Sequence, residues 1–138
     1  MLAMRQVEFA GHWIDRDALM AQKIIPSDNG TYNLNDHVST LVMSHVEWNP
    51  SDNTTLVKTV TYSLPADQKL NRTEVVTDEK TGAPESGGGV WQVANSITSL
   101  SYRVFRVTGS GMILTDNITA QVWSATENRT YTTRPRSF

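Results

Sequence analysis

The chain has 138 residues and no cysteine, and its 12 Lys and Arg against 14 Asp and Glu give a formal net charge of −2. This length is typical of one domain, residues 1–138, that buries about two-thirds of its unfolded surface without a disulfide or a metal. The missing cysteine excludes thiol catalysis and cysteine-ligated zinc. Because no run of basic residues is present, no nucleic-acid partner is expected.

The first segment, from about residue 4 to 25, has the pattern of an amphipathic helix. At 100° per residue, its apolar side chains fall on one side and its charged side chains fall opposite. Pro26 is expected to end the helix because it has no backbone N–H to donate. Asp17 lies inside the apolar stripe, where an unpaired carboxylate would be costly to desolvate. The apolar positions are Val7, Ala10, Ile14, Ala18, Ala21 and Ile25.

The remainder, from about residue 39 to 134, is patterned as short strands and turns. The clearest strand is 56–64, and the turn after it predicts an antiparallel hairpin into 69–77. Residues 91–96 are predicted as a turn or a short helical piece. One helix followed by strands predicts an α+β fold, with the amphipathic helix packed on a mainly antiparallel sheet. The glycine-rich stretch at about 78–89 is expected to be a mobile loop.

The acid inside the helix stripe needs a partner on the sheet. If the helix packs on its apolar side, Asp17 faces the strands and has to be hydrogen-bonded or paired. Arg72 shares a strand face with Leu70 and Val76, and it is the first-choice partner, with Arg103 second. We therefore predict a structural ion pair between Asp17 and Arg72.

No catalytic, cofactor or metal site is predicted, and the chain is not expected to be an enzyme. The glycines at 87–89 lack the lysine and the preceding strand of a phosphate-binding loop. Residues 109–111 lack the outer glycine of a nucleophile elbow. His45 and Glu47 share a strand face, but no third ligand is near them in the sequence. The spacing of oxygen-bearing side chains also fails the helix-loop-helix calcium pattern, and these side chains belong to Asp28, Asn33, Asn35 and Asp36.

Four short segments resemble the prepilin-like minor pilins, in particular the type II secretion pseudopilins of the J kind and the type IV pilus minor pilins of the W kind. In that family an Arg-Asp pair lies late in the first helix, and a Tyr-bearing strand leads into a Leu-x-Arg strand. A segment of the form Asn-x-Ile-x-x-Leu-x-Tyr then enters a later strand. The segments that carry the resemblance here are 14–21, 60–64, 70–72 and 93–102.

The resemblance implies a pilin-like fold and a structural role. The subunit would assemble with other minor pilins or pseudopilins in a type IV pilus or type II secretion filament, at its initiation or tip. It would lie in the cell envelope, outside the cytoplasm, with a precursor anchored by an apolar first half of the helix. That half is absent from this sequence, so the chain would be the soluble part of a truncated subunit.

The alternative is an extracellular carbohydrate- or adhesin-type binding module. Trp48, Trp91 or Trp123 would then act as platforms on which a ligand stacks. Packing in the core or at the edge of the domain is the simpler explanation of these tryptophans.

Overall fold

The computed structural model describes residues 2–25, 30–84, 88–107 and 111–135. Within these residues the protein has one α-helix and nine strands, with a short 3-10 helix between the second and third strands. The helix and strands are α1 Leu2–Met20, β1 Lys23–Ile25, β2 Thr31–Asn33, β3 Thr40–Asn49, β4 Thr54–Ser63, β5 Leu70–Asp78, β6 Gly89–Ala94, β7 Ile97–Val107, β8 Gly111–Val122 and β9 Ala125–Thr133.

The strands form two separate antiparallel sheets. Sheet A has the order β1-β3-β4-β5-β6, and sheet B has the order β2-β7-β8-β9. The protein is therefore a β-sandwich with one N-terminal helix, and the expectation of a pilin-like α+β fold is wrong. The sheets separate at Asn95 and Ser96, because β6 pairs back onto β5 while β7 pairs forward onto β8. A junction of two residues has the length of an ordinary hairpin turn, so the sequence pattern did not reveal the separation.

The helix packs against both sheets. It contacts β8 and β9 of sheet B, and β6 and β3 of sheet A. Val7 and Ile14 on its apolar side are completely buried, together with Tyr62 of sheet A and Leu114 of sheet B. These side chains belong to one continuous cluster, so the helix and the two sheets share a single core. Among the described residues, no helix is both long enough and apolar enough to cross a membrane.

The helix ends at Met20, five residues before the predicted end at 25. The next residues include Ile24 and Ile25, whose β-branched side chains favour extended backbone, and they pair with β3 in a short strand. Ile24 still points into the core, so the apolar pattern continues while the backbone changes from helix to strand. Pro26 lies outside the described residues.

The predicted hairpin is confirmed as β4 and β5, in which Ser63 pairs with Asn71. Residues 91–96, predicted as a turn or short helical piece, are mostly the strand β6. In the described part of the predicted mobile loop, the Asp78 carboxylate accepts hydrogen bonds from the backbone N–H groups of Lys80 and Thr81. Residues 85–87 of that loop lie outside the described residues.

Candidate functional site

Asp17 and Arg72 lie together where the helix meets sheet A. Nε of Arg72 donates to Oδ2 of Asp17 at 2.7 Å, and Nη2 donates to Oδ1 at 2.9 Å. This is the two-bond geometry in which a guanidinium holds a carboxylate most strongly. Arg72 is 3% exposed, so the contact is almost free of solvent. Arg103, the second-choice partner, lies on β7 of the other sheet with its guanidinium over the ring of Phe105.

Two further side chains complete this polar cluster. Tyr62, directly opposite Arg72 on β4, donates its hydroxyl to Oδ2 of Asp17. Glu74 accepts a hydrogen bond from Nη2 of Arg72 at 3.2 Å, and it also lies 3.1 Å from Nζ of Lys58. Both residues could have been predicted from the sequence. Tyr62 faces Arg72 across the predicted hairpin, and Glu74 lies two residues further along the same inward face of β5.

Burial and the Asp17 carboxylate set the protonation of this cluster. Burial raises the pKa of the Tyr62 phenol, and the charge of Asp17 raises it further, so Tyr62 stays neutral and donates. Burial alone would lower the pKa of Arg72. The hydrogen bonds and the charge of Asp17 outweigh that effect and raise the pKa above its usual value. The helix and sheet A are therefore joined by a charged guanidinium at any ordinary pH.

Two tryptophan rings enclose the guanidinium of Arg72. Its Cζ lies 5.0 Å from the centre of the Trp13 ring and 4.8 Å from that of Trp91. The two rings meet edge to face with centres 6.4 Å apart. Nη1 of Arg72 has no hydrogen-bond partner among the described residues. The aromatic rings therefore supply the remaining favourable contact of this cation.

A groove of about 650 Å³ lies beside the cluster, between the C-terminal half of α1 and sheet A. Leu19 and Met20 contribute apolar surface, while His45 pairs with Glu47 at 2.7 Å. The described lining contains no Ser, Thr or Cys. The groove therefore offers ion pairs, hydrogen bonds and aromatic surface to a partner.

Two of the side chains considered for calcium, those of Asn35 and Asp36, make hydrogen bonds within the chain. Oδ1 of Asn35 accepts the backbone N–H of Leu100 at 2.9 Å, and Asp36 accepts the backbone N–H of Ser39 at 2.6 Å. Among the described residues, no three His, Cys, Asp or Glu side chains are placed to hold a metal ion. Asp28 and residues 108–110, which include most of the predicted Gly-Ser-Gly turn, lie outside the described ranges.

One flank of α1 carries a second apolar stripe. Leu2 is 49% exposed, Phe9 is 45% exposed and Met20 is 46% exposed. Trp13 lies between the last two and is half-buried. Steps of three, four or seven residues return to the same side of a helix, so these four side chains lie along one line. The side of α1 that points away from the domain carries the exposed side chains of Arg5, Glu8, His12 and Arg16, as is usual for a helix on the surface of a domain. The second apolar stripe therefore lies on a flank of α1, beside the groove and sheet A.

The three tryptophans proposed as stacking platforms have different surroundings. Trp91 packs against Arg72, as the simpler explanation predicts. Trp123 is 90% exposed in the turn between β8 and β9, and Trp48 is 59% exposed. Packing therefore explains only Trp91. A recess of about 210 Å³ adjoins Trp48, and its lining includes Asn53, Asp78 and Lys80.

A second buried acid, which the sequence analysis did not single out, lies between the helix and sheet B. Asp116 on β8 is completely buried, and neither of its carboxylate oxygens has a hydrogen-bond partner among the described residues. Burial raises the pKa of Asp116 to about 8, with a contribution from the charge of Asp15. Asp15 itself accepts a hydrogen bond from the Thr133 hydroxyl at 2.5 Å. The sequence feature that could have revealed Asp116 is an acidic residue at an inward position of β8, between the buried Leu114 and Ile118.

Neither a protein-family model nor a curated protein sequence matches the chain. Function is therefore inferred from the surfaces and side chains described above.

Proposed function

We propose that the chain is a non-enzymatic structural subunit of the minor pilin or pseudopilin class. It assembles with other such subunits in a type IV pilus or type II secretion filament of the cell envelope. The observation that carries this proposal is the helix with two apolar stripes, one buried in the domain and one on an open flank that exposes Leu2, Phe9 and Met20. A subunit of a helical fibre needs such a helix, because one side holds the domain and the other packs on neighbouring helices.

The Asp17–Arg72 contact supports the proposal independently. Packing of α1 in a fibre loads the junction between the helix and its domain, and the buried two-bond ion pair with Tyr62 fixes how the helix sits on sheet A, because separating the two would leave buried charges without partners. The two residues also occupy the Arg-Asp and Leu-x-Arg motifs on which the resemblance rests. The proposal therefore depends on the helix and on these motifs, and it does not require the α+β fold that the two sheets replace.

The coding sequence immediately upstream of the Met1 codon gives the first test. We expect an in-frame leader followed by about 20 mainly apolar residues, the length that spans a membrane as a helix. An ordinary cleaved signal peptide alone, or an unrelated domain in that place, would contradict the proposal.

Cross-linking in the producing cell gives the second test. Because the chain contains no cysteine, each single substitution introduces a unique thiol. With a short bis-maleimide, the variant that carries both Phe9→Cys and Met20→Cys has two thiols per subunit and is expected to form covalent ladders with neighbouring copies, whereas each single variant forms covalent dimers. Thr132→Cys, exposed on the outer face of sheet B, is the matched control for the single variants and should give no covalent dimer. If the helix variants remain uncross-linked in assembled filaments, the helix is not the packing surface.

A carbohydrate-binding module is a second candidate, favoured by the exposed ring of Trp48 and the recess beside it. An indole stacks on the apolar face of a sugar, and the polar side chains of the recess supply hydrogen bonds. Trp48→Ala should abolish binding on a glycan array, whereas Trp123→Ala should preserve it. If the unmodified chain binds no glycan, this candidate fails and the filament proposal is unaffected.

A further inference from the structure

The outer face of sheet A, which points away from the core, is built almost entirely of uncharged side chains. On strands β3, β4 and β5 these positions alternate with the buried ones. Lys23, at the end of the edge strand β1, is the one charged residue on this face among the described residues. One row of cross-strand partners runs across all five strands and consists of Ile25, Val42, Thr61, Thr73 and Val90.

Large apolar side chains on this face are open to solvent. An outer face of an antiparallel sheet is normally polar, and monomeric proteins rarely leave wide apolar areas uncovered. Between the exposed side chains lie further Val and Thr residues, so the surface is rich in β-branched side chains. The exposed fractions are 45% for Ile25, 43% for Val46, 59% for Trp48, 44% for Val75 and 67% for Val90.

The outer face of sheet B provides an internal comparison. Asn117 and Asn128 exchange side-chain hydrogen bonds there, and they also bond to the hydroxyls of Thr130 and Thr119. These four polar side chains satisfy one another on that face, as is typical of a surface that stays in water. The two outer faces of the sandwich therefore differ in chemistry, and the apolar character belongs to sheet A.

We propose that the outer face of sheet A binds the same face of a second copy of this chain, so that the two sheets pack face to face in a two-fold dimer. Five strands spaced about 4.8 Å apart present roughly 600 Å² per copy, which approaches the about 800 Å² per partner of a standard interface. A face whose one charged residue among the described positions, Lys23, lies at the edge strand gives little preference for an acidic or basic partner and meets little like-charge repulsion when it faces itself. Two β-branched surfaces then interdigitate as the inner faces of a sandwich do.

Sedimentation equilibrium of the purified 138-residue chain tests this interface. We expect a monomer–dimer equilibrium, which Val75→Lys and Val90→Lys each weaken by at least about tenfold. Both positions are open to solvent in the monomer, so a lysine there is compatible with the fold, and circular dichroism verifies it. Thr132→Lys, on the outer face of sheet B, is the matched control and should leave the equilibrium unchanged.

A helix variant separates this inference from the filament proposal. Phe9→Lys changes the apolar stripe on the flank of α1 and should leave the dimer intact. If Phe9→Lys dissociates the dimer while Val75→Lys does not, the copies meet through the helix, and the sheet interface is wrong while the filament proposal stands. An unmodified chain that remains monomeric up to about 1 mM would also overturn the sheet interface.

Discussion

Arg72 is stable in a nearly solvent-free position because its neighbours supply both a counter-charge and aromatic surface. Asp17 provides the carboxylate, Tyr62 completes the hydrogen bonding of that carboxylate, and Trp13 and Trp91 enclose the guanidinium. A buried ion pair contributes little compared with apolar residues of the same size, whereas removing one partner leaves a charge without compensation. The stability of the junction therefore depends on the two residues together.

A double-mutant cycle tests this dependence. Asp17→Asn and Arg72→Met should each lower the free energy of unfolding by about 3 kcal/mol. The double variant should lose clearly less than the sum, because it buries no unpaired charge. Urea denaturation of the four proteins measures the coupling, and strictly additive losses would show that the two side chains act independently.

Asp116 should make the stability fall with rising pH. Its folded pKa is about 8, mainly through burial, against an ordinary value of 3.8. Between about pH 4 and 8 the folded chain therefore keeps a proton that the unfolded chain has lost, and stability decreases across that window. Asp116→Asn removes this titration and should be more stable than the unmodified chain at pH 8 by at least about 1 kcal/mol.

Urea midpoints measured from pH 5 to 8.5 check the Asp116 prediction. Burial also raises the pKa of Asp15, so a weaker slope of the same sign is expected to remain in the variant. Identical slopes in the two proteins would show that Asp116 does not carry the titration.

At the scale of the secondary-structure elements, a close approach between α1 and β9 sets the position of the helix. Gly11 is buried, and a Cβ atom at this position would lie 2.5 Å from the ring of Tyr131. Glycine within a helix costs about 1 kcal/mol relative to alanine, so the close contact accounts for its presence. Gly11→Ala should therefore lower stability by about 1–3 kcal/mol despite its better helix propensity.

The sign of the Gly11→Ala effect should reverse when the ring is absent. In a Tyr131→Ala background the clash is gone, and the alanine should raise the thermal midpoint through propensity alone. Thermal denaturation of the single and double variants measures both signs. A loss of equal size in both backgrounds would show that the ring does not set the position of the helix.

The sequence was informative wherever a local pattern had one structural solution. An acid in an apolar helical stripe required a partner, and strand alternation placed Arg72 on the face opposite it. The enclosure of Arg72 by Trp91 could not be predicted, because it depends on β6 pairing with β5, and residues 91–96 also fit a turn. The division into two sheets was hidden for the same reason: strand patterns show which face is buried, but they do not show which strand is the neighbour.

At the scale of the whole molecule, the shared core predicts that the helix and both sheets unfold together. Ile14 is completely buried on the side of α1 that faces that core, and Ile14→Ala should lower the free energy of unfolding by about 2–5 kcal/mol. The change in tryptophan fluorescence on unfolding reports mainly on Trp13 and Trp91 at the junction with sheet A, because Trp48 and Trp123 are already exposed in the folded chain. Far-ultraviolet circular dichroism reports on all strands. Because no part of the sandwich has a core of its own, both midpoints should shift by the same amount in urea. Separate midpoints in the variant would mean that one sheet keeps its structure after the helix has left it.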